Sequence, residues 1–203
     1  MVAFGKWSAV RYAESGNSES AAAALKVRAL LIDGRVKEFT FGPSHEITDR
    51  LFVVRRAFRV NDSLPEETSS PRWEWQQGGW MLIDRATGRI SALNLPEFDM
   101  EVSAASWYRD YAAYCGVSDD GKKLYGVVFE INRRKPVVKF AMAESKGDSS
   151  KEEAIPTACS APTWQRSPAR VTFNSGGTSK TYAIRGRAVD LVTNNDEEEE
   201  AEK

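Results

Sequence analysis

The chain is poor in the residues that carry most enzyme chemistry. Its 203 residues include one histidine, His45, and two cysteines, Cys115 and Cys159. A structural zinc site needs four Cys or His ligands, which one chain cannot supply. Any Ser-His-Asp or Cys-His catalytic set would have to use His45. No apolar run approaches the ~18 residues that a membrane span needs, so no membrane contact is expected. The opening stretch, "MVAFGKWSAVRYAESGNSES", has no apolar segment between a basic start and a small-residue cleavage site. No secretory leader is read there, and a cytoplasmic setting is expected. A mature chain trimmed of its leader would read the same way. Two cysteines could make one disulfide, but a cytosolic setting argues for free thiols. No metal and no cofactor is expected.

Charge is nearly balanced, with a net of -1 that hides an asymmetry. The last eight residues, "DEEEEAEK", carry six acids and one lysine, which leaves residues 1–195 with about +4. Such a tail reads as a solvated, disordered segment, or as one that covers a basic surface and competes with an anionic partner. Dedicated nucleic-acid domains are far more basic than this body, so nucleic acid is disfavoured as a partner.

What is present is strand pattern. "SESAAAALKVRALL" opens like a short helix capped at Ser20, then alternates as "KVRALLIDGRVKEFTFG" around a hairpin signal at Asp33-Gly34. "GPSHE" reads as a turn, "ITDRLFVVRRAFRVND" as a strand and "DSLPEETSSPR" as a loop. "RWEW", "WMLID" and "RISALNL" read as three strands, joined by a turn at "QQGG", with Gly78 and Gly79, and one at "RATG". "YRDYAAYCGVS", "LYGVVFEIN" and "RRKPVVKFAMA" make a second set with a tight turn at Gly121. Residues 144–168 are loop-like, and "ARVTF" and "KTYAIRGRAVDLV" are two further strands around "NSGGTS".

"WMLIDRATGRISALNLP" resembles the outer hairpin of a β-propeller blade, and "SWYRDYAAYCGVSDDGKKLYGVVFEI" resembles the inner strands of the blade that follows. The resemblance is to bacterial propeller repeats, covers about residues 72–140, and brings no functional motif. A four-bladed propeller needs ~160 residues of continuous strand pattern. The clear pattern here runs from about residue 25 to 140. The expected fold is therefore all-β: antiparallel strands in a sandwich or open barrel with blade-like meanders. Its expected parts are a flexible segment over 1–23, a main β domain over 24–142 and a linker over 143–168. A β-hairpin over 169–193 would pack on the main domain, and the acidic tail would occupy 194–203.

Three groups of residues are candidates for function. Strand alternation puts Cys115 on one face with Tyr111, Ala113 and Val117, beside a partner strand offering Tyr125, Val127, Phe129 and Ile131. That places the thiol in the core, where burial makes it inert. A Cys115/His45 enzyme is the competing reading, and Cys159, in a polar loop, would be the more exposed thiol. Trp73 and Trp75 share a face and Trp80 opens the next strand. They either close the core or make a stacking platform for a carbohydrate or peptide. Arg55, Arg56 and Arg59, and Arg133, Arg134 and Lys135, form two basic groups that read as solvated strand faces or partner contacts. Asp84, Asp110, Asp119 and Asp120 are explained by turns and strand ends. "NSGGTSK" lacks the spacing of a phosphate loop. No catalytic residue is assigned. The leading expectation is a non-enzymatic module that binds another protein, with small-ligand binding through the tryptophans second and the Cys-His enzyme third.

Overall fold

The structure, a computed structural model, describes residues 1–12, 23–66, 70–144, 160–175, 178–185 and 188–192. Every regular element among them is a β-strand, as the β-branched and aromatic content requires. Among the described residues, no helix is long and apolar enough to cross a membrane. The helix start expected near Ser20 is not followed by a helix: Ala23–Ile32 is a strand. Its two faces both find cover, Leu25 and Val27 in one buried cluster and Leu30 in another. That gain outweighs the modest helix propensity of the alanines. The predicted acidic tail lies outside the described residues.

The chain divides into two compact units, Met1–Asn94 and Leu95–Lys203. The boundary falls inside the span read as one main domain. The first unit holds β1 (Val2–Phe4), β2 (Ser8–Tyr12), β3 (Ala23–Ile32), β4 (Arg35–Glu46), β5 (Leu51–Asn61), β6 (Trp73–Asp84) and β7 (Ile90–Leu93). Residues expected to be a flexible N-terminal segment thus supply two strands, both paired antiparallel to β3. The sheet order is β1-β3-β2-β6-β5-β4, with β7 on β6 and a further β3–β4 pairing. The sheet therefore curls round on itself. Its seam, between β2 and β6, is a single parallel pair, Tyr12 with Trp75, so the barrel is open. One core cluster joins Leu30, Phe52, Val54, Met81 and Ile83; a second joins Leu25, Val27, Phe41 and Ala57.

Local chemistry sets the turns. Asp33 and Gly34 both take positive φ, as a two-residue hairpin turn requires. The β6–β7 turn is built on Asp84. Its Oδ1 accepts the amides of Ala86 (2.9 Å) and Thr87 (3.3 Å), and the carboxylate also receives Arg50 Nε (2.8 Å) and Nη2. Gly88 closes the turn at φ +70°, where a Cβ would also press on Ile32. The Arg50 contact, which outweighs the opposing effect of desolvation, and with it the two amides, hold the Asp84 carboxyl well below the usual carboxylate range. A carboxyl depressed by folding stabilises the fold fully above its unfolded pKa of about 3.9, and loses that contribution as pH falls through the lower folded value. The wild type is expected to lose stability in urea melts taken from about pH 4 downward, and Asp84→Asn to flatten that acid limb. Parallel limbs for both proteins would remove Asp84 from the account.

"QQGG" is not a turn. Trp73–Asp84 is one strand, and Gly78 and Gly79 carry a bulge between the pairs Arg55–Trp80 and Ala57–Gln77. A Cβ at Gly78 would lie 3.0 Å from the Arg56 carbonyl oxygen, so close backbone approach, not positive φ, is what glycine serves here. "GPSHE" likewise lies within β4, where two extra residues bulge between Phe41 and His45.

The second unit is two antiparallel meanders. One is β8 (Ala105–Tyr108), β9 (Tyr111–Val117), β10 (Lys123–Glu130) and β11 (Val138–Glu144). The other is β12 (Thr163–Arg166), β13 (Ala169–Ser175), β14 (Thr178–Arg185) and β15 (Ala188–Leu191). The expected linker over 143–168 contains β12, and residues 145–159 lie outside the described set. The expected C-terminal hairpin is three strands of a four-stranded sheet. Tyr111, Ala113 and Val128 from the first meander meet Val171 and Phe173 from the second in one buried cluster, so the two sheets pack face to face.

Candidate functional site: tryptophan and arginine on the curled sheet

Trp73 and Trp75 stand on one face of β6, two residues apart, as strand alternation demands. Trp75 is directly opposite Arg59 on β5, and Trp73 is opposite Asn61. The Arg59 guanidinium lies 5.9 Å from the Trp73 ring centre and 5.5 Å from the Trp75 ring centre. Both distances are within the range of cation–π attraction. Trp75 meets Phe39 edge-on at 5.1 Å and packs against the Leu25, Val27, Phe41 and Ala57 cluster. It is anchored from below, while Trp73 is 58% exposed at the end of the row. Trp80 lies on the other side of the glycine bulge and is only 7% exposed. The three predicted tryptophans therefore separate into an exposed one, an anchored one and a core one.

The first basic group splits by the same alternation. Arg55 shares the Arg59 side of β5. Its Nε and Nη2 reach the Gly78 carbonyl at 3.3 and 3.2 Å, and its guanidinium sits 4.5 Å from the Phe41 ring centre. Burial pulls its pKa down to about 10. Arg56 points to the opposite face and pairs with Glu38 at 2.9 Å. Of the three arginines, only Arg59 stands exposed beside the tryptophans. Arg133, Arg134 and Lys135 belong to the second unit, in the β10–β11 connection, where Arg133 pairs with Glu130.

Cys115 is buried, as expected. Its neighbour across the ladder is Gly126, and the residues opposite its face are Gly126 and Val128, not the odd-numbered set of β10. Its Sγ lies 3.7 Å from Met142 Sδ. Cys115 is disulfide-bonded, which corrects the expectation of a free thiol. The one other cysteine of the sequence, Cys159, lies outside the described residues. A sulfur in a disulfide has no proton to lose and cannot be the thiolate of a Cys-His pair. His45 is on β4 of the first unit, opposite Val53. Among the described residues, no group of three or more His, Cys, Asp or Glu is placed to hold a metal ion.

No family model matches this chain, and neither a curated protein nor a solved structure does.

The functional reading therefore rests on the residues themselves. What the row Trp73–Arg59–Trp75 offers chemically is two π faces and one cation, held by a strand pair and a buried aromatic beneath. Sequence reasoning named Trp73, Trp75 and Arg59 in separate groups and set Trp80 with the tryptophans. The structure brings Arg59 beside Trp73 and Trp75 and puts Trp80 in the core, because the bulge at Gly78 and Gly79 breaks the alternation between Trp75 and Trp80. The glycine pair was the available signal.

Proposed function

We propose that this protein is a non-enzymatic binding module that engages another protein through the Trp73–Arg59–Trp75 row of its N-terminal unit. The observation that carries the proposal is the exposed Trp73 indole beside a guanidinium that contacts both indoles. Tryptophan and arginine are the residue types over-represented among those that dominate interface energies. An aromatic ring fixed by packing loses little entropy on binding. Disulfides persist in oxidising compartments and are rare in the cytosol, so the Cys115 bond weighs against the cytoplasmic setting that the N-terminal sequence suggested.

The test is quantitative affinity capture from native lysate with wild type, Trp73→Ala and Arg59→Ala, each checked for native circular dichroism. Val36→Ala, an exposed apolar control on β4, is run alongside. Truncating a hot-spot residue costs about 2 kcal/mol or more, roughly a thirtyfold loss. Partners depleted by the Trp73 and Arg59 changes but retained by Val36→Ala are the expected result. A captured set indifferent to both changes would sink the proposal.

A further inference from the structure

A second feature of the N-terminal unit is a groove away from the tryptophan row. β1 and β2 lie end to end along the same edge of β3: Phe4 pairs with Leu30 and Ser8 with Val27. Three residues, 5–7, thus face two, Arg28 and Ala29, which is a bulge. The Gly5 amide still reaches the Ala29 carbonyl at 2.8 Å. The extra residue pushes Trp7 outward, and it is 47% exposed. On the other edge of β3, β4 bulges at Gly42 and Pro43. Between the two bulges is a groove of about 490 Å³ lined by Trp7, Ser8, Ala9, Lys26, Gly42 and Pro43. That volume suits a small organic ligand.

The charges on this face are unbalanced. Lys26 and Arg28 are two apart on β3 and share one of its faces, with Lys26 exposed and Arg28 half-buried. The Arg28 guanidinium is held between two rings, 3.6 Å from the Phe4 ring centre and 4.4 Å from that of Trp7. Its Nε is buried with no hydrogen-bond partner. Neither Lys26 nor Arg28 has a carboxylate partner among the described residues. A buried donor left unmade is costly, and an uncompensated cation favours an anion nearby. The Arg28 guanidinium thus lies over the ring of Trp7, the aromatic wall of the groove.

We infer that this groove binds a small organic anion, a flat ring bearing a carboxylate or phosphate. The ring stacks on Trp7 against Pro43, and the anionic group meets the Lys26 ammonium, with the Arg28 charge behind Trp7 adding to the field. The site is separate from the Trp73 row and does not rest on the function proposed for it.

The test follows the Trp7 indole N–H signal in two-dimensional proton–nitrogen spectra of the full chain, assigned with Trp7→Phe. The probes are phenyl phosphate, benzoate, neutral benzyl alcohol and inorganic phosphate. A saturable shift with phenyl phosphate or benzoate is expected, and whichever of the two binds tighter names the anionic group. Benzyl alcohol and inorganic phosphate should bind at least tenfold more weakly. Lys26→Gln, an exposed change that leaves the sheet pairing intact, should raise the dissociation constant at least tenfold, and Trp7→Ala, followed through the backbone amide signals of Ser8, Ala9 and Gly42, should abolish binding. No saturable shift with either aromatic anion would overturn the inference. So would equal binding of the neutral ring or of phosphate alone, or indifference to Lys26→Gln and Trp7→Ala.

Discussion

Phe52→Ala is expected to cost about 3–5 kcal/mol of unfolding free energy, the usual penalty for emptying a buried aromatic site. Phe52 is fully buried on β5. It packs with Leu30 of β3, Val54 of its own strand, and Met81 and Ile83 of β6. Phe4 of β1 meets its ring edge-on at 5.6 Å, and the Arg85 guanidinium lies 4.7 Å from the ring centre. Ile90 of β7 closes the same cluster. One side chain thus ties five strands of a sheet whose seam is a single residue pair. Total stabilities of domains are about 5–15 kcal/mol, so the loss is a large fraction of the whole. Urea titration should show a lower midpoint with an unchanged slope. Phe52→Leu refills most of the volume and should cost clearly less. A loss under about 1 kcal/mol for Phe52→Ala would mean that the site collapses freely and that the cluster does not hold the unit.

Fold and site differ in how far they could be read from residues alone. Strand content was legible because β-branched and aromatic residues alternate over most of the chain. The turns at Asp33-Gly34 and Asp84–Gly88 were legible because their chemistry is local: positive φ, and a carboxylate accepting amides two and three residues on. The pairing of β1 and β2 with β3 was not legible. Those strands are short, and what makes them strands is the β3 edge they bind, a partner up to thirty residues away in the register Val2–Ile32. The bulge at Gly78 and Gly79 was misread as a turn because a glycine pair serves both purposes, and only the close Arg56 carbonyl decides between them. The same long-range pairing put Arg59 beside Trp73 and Trp75. In the sequence Arg59 is merely one of three arginines; the β5–β6 register, not their spacing, singles it out.

Gly126→Ala is expected to destabilise the second unit by about 1–3 kcal/mol or more, although it adds one methyl group. Gly126 on β10 lies directly opposite Phe140 on β11, and the Phe140 ring covers it. A Cβ at Gly126 would fall well inside contact distance of three atoms of that ring. The ring cannot yield easily. It is held edge-on by Phe173 at 5.3 Å and tilted against Tyr182 at 5.2 Å, both from the facing sheet. Moving it opens the interface between the two meanders. Gly79→Ala is the contrast, since a Cβ there meets nothing within 4 Å and should be close to neutral. Phe140→Ala alone should cost about 3–5 kcal/mol. In the double variant the methyl added by Gly126→Ala no longer has a ring to strike. The cost of the double variant should therefore fall short of the sum of the two single costs by roughly 0.5–3 kcal/mol, the coupling of residues in contact. Strict additivity in that cycle would show that Phe140 does not rest on Gly126. It would also leave the glycine without its reason, because Gly126 takes no positive φ and sits in the middle of a strand, where any other residue would pair as well.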